Sequence, residues 1–166
     1  FVEMNFDSVT INPYMGSDSV KPFLEFENKI SILLGLTSNT GANDIQLKTS
    51  NNDDFIFMEM IKSSKEWGDK NHMMYVVGAT KPKYIERIRS VIPDHFLLMP
   101  GVGAQGGDLD EICKYALNDK IGIIVNSSRS IIYASNDEKF ALAAEDAAMI
   151  LQKKMKEILS SKKYNS

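Results

Sequence analysis

Cysteine is nearly absent: Cys113 stands alone among 166 residues, so no internal disulfide framework is available. Histidine is scarce too. His72 and His95 form no His-x-x-x-His, and no cysteine pair exists, so no metal site is read. Long apolar runs are missing, since residues 32–36, reading ILLGL, are far too few to span a bilayer. An excess of positive charge is missing as well, and the net charge of −3 speaks against a nucleic-acid or anionic-membrane partner. No signal-peptide-like segment lies ahead of the first strand and the chain opens at Phe1, so a cytoplasmic location is the expectation. There is no composition break, no repeat of about 20–50 residues and no low-complexity tract. One domain over residues 1–166 follows, with residues 160–166 as a frayed tail.

What is present suits a globular domain: 43% hydrophobic and 25% charged residues, in a length that buries a sizeable core. Strand-like residues 8–13, 29–36, 73–77, 96–99 and 121–125 alternate with helical patterns. The first helix is capped by Ser17 or Asp18, the second by Asp53 or Asp54, the third opens at Pro82 and stops at Pro93. The fourth covers residues 108–117, and the last starts near Glu138 with Phe140, Ala144, Ala147, Leu151, Met155 and Ile158 facing inward. Such alternation implies a parallel sheet with right-handed crossovers. An open doubly wound sheet and a (β/α)8 barrel both fit. Every strand is followed by a polar or glycine-bearing loop (NPYMG, TSNTG, GAT, PGVGAQGG, NSSRS), and loops gathered on one rim suit a barrel. The fold class read is α/β, a (β/α)8 TIM barrel of which this chain supplies about the last five units of eight.

Residues 96–110, FLLMPGVGAQGGDLD, carry the strongest chemical signal. A strand meets Pro100 and a glycine-rich turn, which opens into a helix capped by Asp108. Glycines let backbone N–H groups close on an anion, and a helix N-terminus adds partial positive charge. Gly101-x-Gly103-x-x-Gly106 also matches the dinucleotide fingerprint. That fingerprint belongs in a first βα unit with an acidic residue about 20 positions later; here Lys120 and Ile121 occupy that place. A phosphate cradle is the better reading, and a plain tight turn the alternative.

Arg129 follows one βα unit later, in a loop reading SSRS. Barrels commonly bind phosphate with the loops after their last two strands, and a guanidinium fork matches two phosphate oxygens. A surface ion pair is the other role open to it. Thr37, Ser38 and Asn39 offer short polar groups for a base or amide edge, though turn chemistry explains them equally. Asn12, before Pro13, reads as a turn former. His72 and His95 precede strands, on the stability face of a barrel, and Cys113 lies within a helix, so all three read as structural. No acid, base or nucleophile constellation stands out.

Taken in order, NPYMGSDSVKPF, the TSN loop, VVGAT, PGVGAQGGD and SSRSII make the chain resemble the orotidine 5′-phosphate decarboxylase family, and its longer bacterial branch most, over residues 7–159. The resemblance implies a (β/α)8 barrel, usually a homodimer with sites near the interface. It implies decarboxylation of a small-molecule nucleotide, orotidine monophosphate, to uridine monophosphate in pyrimidine synthesis, with no cofactor. It implies that Gln105 and Arg129 grip the 5′-phosphate with help from the backbone of Gly103, Gly106 and Gly107. Ser38 and Asn39 would meet the pyrimidine, and Pro100, Gly101 and Val102 would line the pocket near the base. Ser128 stands where many members have glycine, and its N–H serves equally if its backbone angles suit a side chain.

One family feature has no match. The catalytic Asp-x-Lys-x-x-Asp motif ends an earlier strand, and its lysine protonates the carbanion left by departing CO2. Here Asp137-x-Lys139 is followed by Leu142 at the last position. The expectation is that no catalytic residue lies in this chain, and that roughly 90–110 residues bearing the motif precede Phe1, from the usual barrel length. The alternatives are a catalytically silent phosphate-binding module, or a related barrel decarboxylase acting on another sugar phosphate such as a keto-gulonate phosphate.

Overall fold

The computed structural model describes residues 1, 3–102 and 108–162. Its strands are β1 (Ser8–Ile11), β2 (Ile30–Leu36), β3 (Met73–Val77), β4 (Leu97–Pro100) and β5 (Ile123–Asn126). Between and after them run α1 (Ser17–Leu24), α2 (Ile56–Ser64), α3 (Pro82–Val91), α4 (Leu109–Ala116), α5 (Arg129–Ile132) and α6 (Phe140–Ser161).

All pairings are parallel and the strand order is β1-β2-β3-β4-β5. That order decides between the two architectures left open by the alternation. A doubly wound sheet reverses at a switch point, as in 3-2-1-4-5-6, whereas a barrel adds each strand beside the last. The sheet is an arc of a barrel.

Register separates its two faces. Ile11, Leu33, Tyr75, Leu97 and Ile123 are partners in one row across the five strands. This row joins Phe57, Ile61, Ile85, Ile88 and Ile112 from the helices in the main core. Each such side chain, fully buried, contributes about 1.5–3 kcal/mol. Neighbouring residues along a strand point the opposite way, so Leu34, Val76, Leu98 and Ile124 form a second row on the barrel-interior face. Ile32 and Met74 pack with that second set. Tyr75 also carries a polar atom into the core, where Ser64 Oγ lies 3.0 Å from its hydroxyl. Burial pushes this phenol up to about 12, against the weaker pull of that bond.

Several local expectations need correction. Strand β5 starts at Ile123 rather than residue 121, because Asn118 and Ile121 close a tight turn with Ile121 at φ +70°. The SSRS loop is partly helical, since α5 begins at Arg129. Phe140 is 59% exposed rather than inward, and α6 has no fully buried residue. This helix packs mainly on α4 and α5, which cover only the stripe bearing Leu151, Met155 and Ile158. It also stays helical to Ser161, inside the expected tail. Cys113 is buried as read, and burial pushes its thiol up to about 11, which keeps it protonated and inert.

Neither Asp53 nor Asp54 caps α2. The N-cap is Phe55, and the first N–H groups of the helix, on Ile56 and Phe57, donate to the carbonyls of Lys48 and Gln46 at 2.9 and 3.0 Å. Asp54 is only 7% exposed and takes Lys62 Nζ and Arg87 Nη2 at 2.6 Å each. Burial alone would raise its pKa, but the bonds from Lys62 and the Phe55 N–H, with the charge of Arg87, hold the carboxyl below its ordinary value. Asp54→Asn is expected to destabilise the fold by about 1–3 kcal/mol in urea unfolding at neutral pH. A depressed folded-state pKa adds stability above the unfolded value of about 3.9 and loses it as pH falls through the folded value. The difference between wild type and variant should therefore shrink in acid.

The N-terminal rim of the sheet is held by Arg89 of α3. Its guanidinium donates to the carbonyls of His95 at 2.6 Å and of Ala116 and Gly122 at 2.7 Å. His72 and His95 lie on this rim, just before β3 and β4, away from the strand ends that carry the polar loops.

Candidate phosphate and base site at the C-terminal rim

The polar loops meet at the opposite rim and are laced together by hydrogen bonds. Gly78 N–H, after β3, donates to Leu36 O at the end of β2 at 2.7 Å. Ala79 N–H donates to Pro100 O at the end of β4 at 2.9 Å. Ser127 Oγ, after β5, donates to Val102 O at 3.2 Å. Since that hydroxyl has one proton, Ser130 must donate to Ser127 Oγ in the bond between them. A continuous rim therefore runs from Ser38 to Arg129.

At its β4–β5 end lies a cavity of about 130 Å³, lined by residues 100–102 on one side and 126–129 on the other. Five residues read from the sequence converge there: Pro100, Gly101, Val102, Ser128 and Arg129. Gly101 has φ +93°, a left-handed conformation that a side chain would strain, so glycine is required where the chain turns into the cradle. Ser128 has φ −101° and ψ −66°, in the right-handed region, so its backbone angles are ones a side chain tolerates. Its hydroxyl donates to Asn126 Oδ1 at 3.1 Å. Arg129 is exposed and makes no ion pair among the described residues. Asp108 caps α4 as read, with Oδ1 accepting from Asp110 N–H at 2.9 Å, so the positive end of that helix follows the glycine turn. Gly103, Gln105, Gly106 and Gly107 lie outside the described residues.

Ser38 and Asn39 do not line this cavity. They sit two strands away on the same rim, after β2, with Ser38 half-buried and Asn39 exposed. Asn39 Oδ1 accepts from Thr37 Oγ1 at 2.5 Å, which is the turn chemistry read from the sequence. Asn12 is a turn former as read, its Oδ1 accepting from Tyr14 N–H at 3.1 Å. Sequence reasoning placed Asn126 and Ser127 in a rim loop but missed them as lining residues of the cavity. Asn126 is Pro100's partner in the β4–β5 register, so its position facing Pro100 was encoded only in strand pairing.

The arrangement is a small cavity at the ends of adjacent parallel strands, lined in part by a guanidinium and serine side chains, with a polar loop further along the same rim. No group of three or more His, Cys, Asp or Glu side chains suited to a metal occurs among the described residues. The model of the Orotidine 5′-phosphate decarboxylase / HUMPS family matches residues 1–144 of this chain. The chain belongs to that family.

Similar family members agree in size of match. The orotidine 5′-phosphate decarboxylase of Flavobacterium johnsoniae is 54% identical over 162 residues, covering 98% of this chain and 59% of that protein. That of Bacteroides fragilis is 53% identical over 161 residues, covering 97% and 59%. Among solved structures, the UMP synthase of Leishmania donovani superposes with a TM-score of 0.78 at 32% identity, covering 92% of this chain and 34% of that one. The OMP decarboxylase of Leishmania donovani gives 0.76 at 29% identity, covering 92% and 58%. The chain thus spans about 59% of the length of the curated relatives it matches. The one partial match to the family's Asp-x-Lys-x-x-Asp motif is a turn contact. Asp137 Oδ1 accepts from Lys139 N–H at 2.8 Å in the connection between α5 and α6, off any strand end.

Proposed function

We propose that this chain is the phosphate- and base-binding part of an orotidine 5′-phosphate decarboxylase, which releases CO2 from orotidine monophosphate to form uridine monophosphate without a cofactor. The cavity between the ends of β4 and β5, with Arg129 at its mouth, carries this reading in a chain of this family. Arg129 and Gln105 hold the 5′-phosphate, with N–H groups of Gly103, Gly106, Gly107 and Ser128 assisting. Pro100, Gly101 and Val102 line the path toward the base, and Ser38 and Asn39 meet the pyrimidine edge. Phosphate contacts remote from the reacting carbon supply binding energy that orients and strains the base, which is how a non-reacting group accelerates a reaction. The proton that replaces CO2 comes from a lysine outside residues 1–166.

The enzyme is proposed to work as a homodimer in the cytoplasm. No helix among the described residues is long and apolar enough to cross a membrane. Ile132, Tyr133, Phe140, Leu142, Met149 and Ile150 leave an apolar surface on and beside α5 and α6, of the kind that further chain or a partner subunit covers.

Two measurements test this. Residues 1–166 alone should show no decarboxylase activity, and turnover by this chain would overturn the assignment of the proton donor to a group outside it. Calorimetric titration should give tighter binding of uridine monophosphate than of ribose 5-phosphate. Equal affinities would reject the base contacts and favour a phosphate-binding module without catalysis.

A further inference from the structure

Ser38 follows Thr37, which Gln46 holds, and packs against Gly78; the proposed function uses neither Gln46 nor Gly78. The backbone N–H of Thr37 can only donate, so it fixes Gln46 Oε1 as the acceptor at 2.8 Å. The other half of the amide, Nε2, then donates to Thr37 Oγ1 at 2.8 Å. That leaves the single hydroxyl proton of Thr37 for Asn39 Oδ1. One amide therefore sets the direction of the side-chain bonds around Thr37, and the Asn39 amide nitrogen is turned away from Thr37. Gln46 is itself anchored, since its carbonyl accepts the N–H of Phe57 in the first turn of α2 at 3.0 Å. Gly78 packs against Ser38 itself. A Cβ there would lie 2.7 Å from Ser38 N and 2.8 Å from its Cα and Cβ, so any side chain would push Ser38 off its seat. The Ser38 hydroxyl takes part in none of the bonds that fix its neighbours, which leaves it for a ligand.

We infer that Gln46 and Gly78 are positioning residues for base recognition: together they set the height of Ser38 and the orientation of the Asn39 amide. This rests on the proposed base-binding role of the loop. The two residues act through Thr37 and Ser38 rather than on the ligand, so they govern discrimination for the pyrimidine and leave the phosphate cradle untouched.

The test is titration of the protein with uridine monophosphate and, separately, with ribose 5-phosphate. Gln46→Met keeps the length of the side chain and removes both bonds. It should weaken uridine monophosphate about 10-fold, the scale of one or two lost hydrogen bonds, while ribose 5-phosphate changes less than about 2-fold. Gly78→Ala should produce the same one-sided loss. Because that variant strains backbone against backbone, Thr37→Val provides an independent check, removing the hydroxyl that links Gln46 to Asn39 at nearly constant volume. Unchanged preference for uridine monophosphate in both Gln46→Met and Thr37→Val would overturn the inference, as would equal weakening of both ligands. A wild-type protein that does not distinguish the two ligands would instead sink the base-binding reading, and the inference with it.

Discussion

Replacing Arg89 with methionine is expected to lower the unfolding free energy by about 2–5 kcal/mol, the scale of losing two or three part-buried charged hydrogen bonds. The side chain has no carboxylate partner in any ion pair of the described residues; its acceptors are carbonyls. Ala116 O belongs to the last turn of α4, His95 O to the approach to β4, and Gly122 O to the approach to β5. One guanidinium thus ties three elements together on the lower rim. Burial pulls its pKa down to about 10, with Asp94 opposing, so it stays charged at neutral pH. Methionine fills much of the same space and donates nothing. Gly122 O keeps its bond from Leu97 N–H, but the other two carbonyls lose a charged donor, each loss being about 1–3 kcal/mol. Lysine should rescue only part of this, since one ammonium cannot span acceptors arranged for a planar fork. Urea unfolding should show a shifted midpoint at constant slope, because the surface exposed on unfolding is unchanged. A shift below about 1 kcal/mol would refute this role. Ligand affinity of the folded variant should match wild type, because Arg89 and the proposed phosphate cradle occupy opposite rims.

Arg129→Ala is the second large effect, and it falls on binding rather than stability. A phosphate ligand should lose about 1.5–3 kcal/mol, or roughly 10–150-fold in affinity, for each charged hydrogen bond removed. The exposed guanidinium supports no described ion pair, so unfolding should move by no more than about 0.5 kcal/mol. Uridine monophosphate and ribose 5-phosphate should weaken together, in contrast to the one-sided loss expected at Gln46. Arg129→Lys should recover only part of the affinity, because a point charge replaces a bidentate fork. Unchanged affinity in Arg129→Ala would remove the residue from the site.

Part of the candidate site was legible because its parts are local. Pro100 ends an apolar strand, Gly101 and Val102 follow it directly, and the φ of +93° at Gly101 is a property of the turn itself. Asp108 caps the helix that begins one residue later. Such features depend on neighbours within a few positions, so residue type reports them. Asp54 shows where this fails. An acidic residue just before a helical pattern looks like a cap, yet two cations, one of them 33 positions away, draw it into an ion pair. The α2 N–H groups then find carbonyls in the preceding loop instead.

Gln46 and Arg89 had no signal at all. A glutamine in a loop and an arginine on a helix are ordinary surface residues until folding brings their partners close. For Gln46 the partner is nine positions back. For Arg89 the acceptors lie 6, 27 and 33 positions on. By itself, the sequence determined the alternation of strand and helix, the turn at Gly101 and the arginine one unit later, because hydrophobic period and turn chemistry are written residue by residue. Only the tertiary structure decided that the strands stand in unreversed order, that Asn126 faces Pro100 across the rim, that Gln46 holds Thr37, and that Gly78 packs against Ser38. Those are facts of pairing between distant segments, set by which surfaces bury each other.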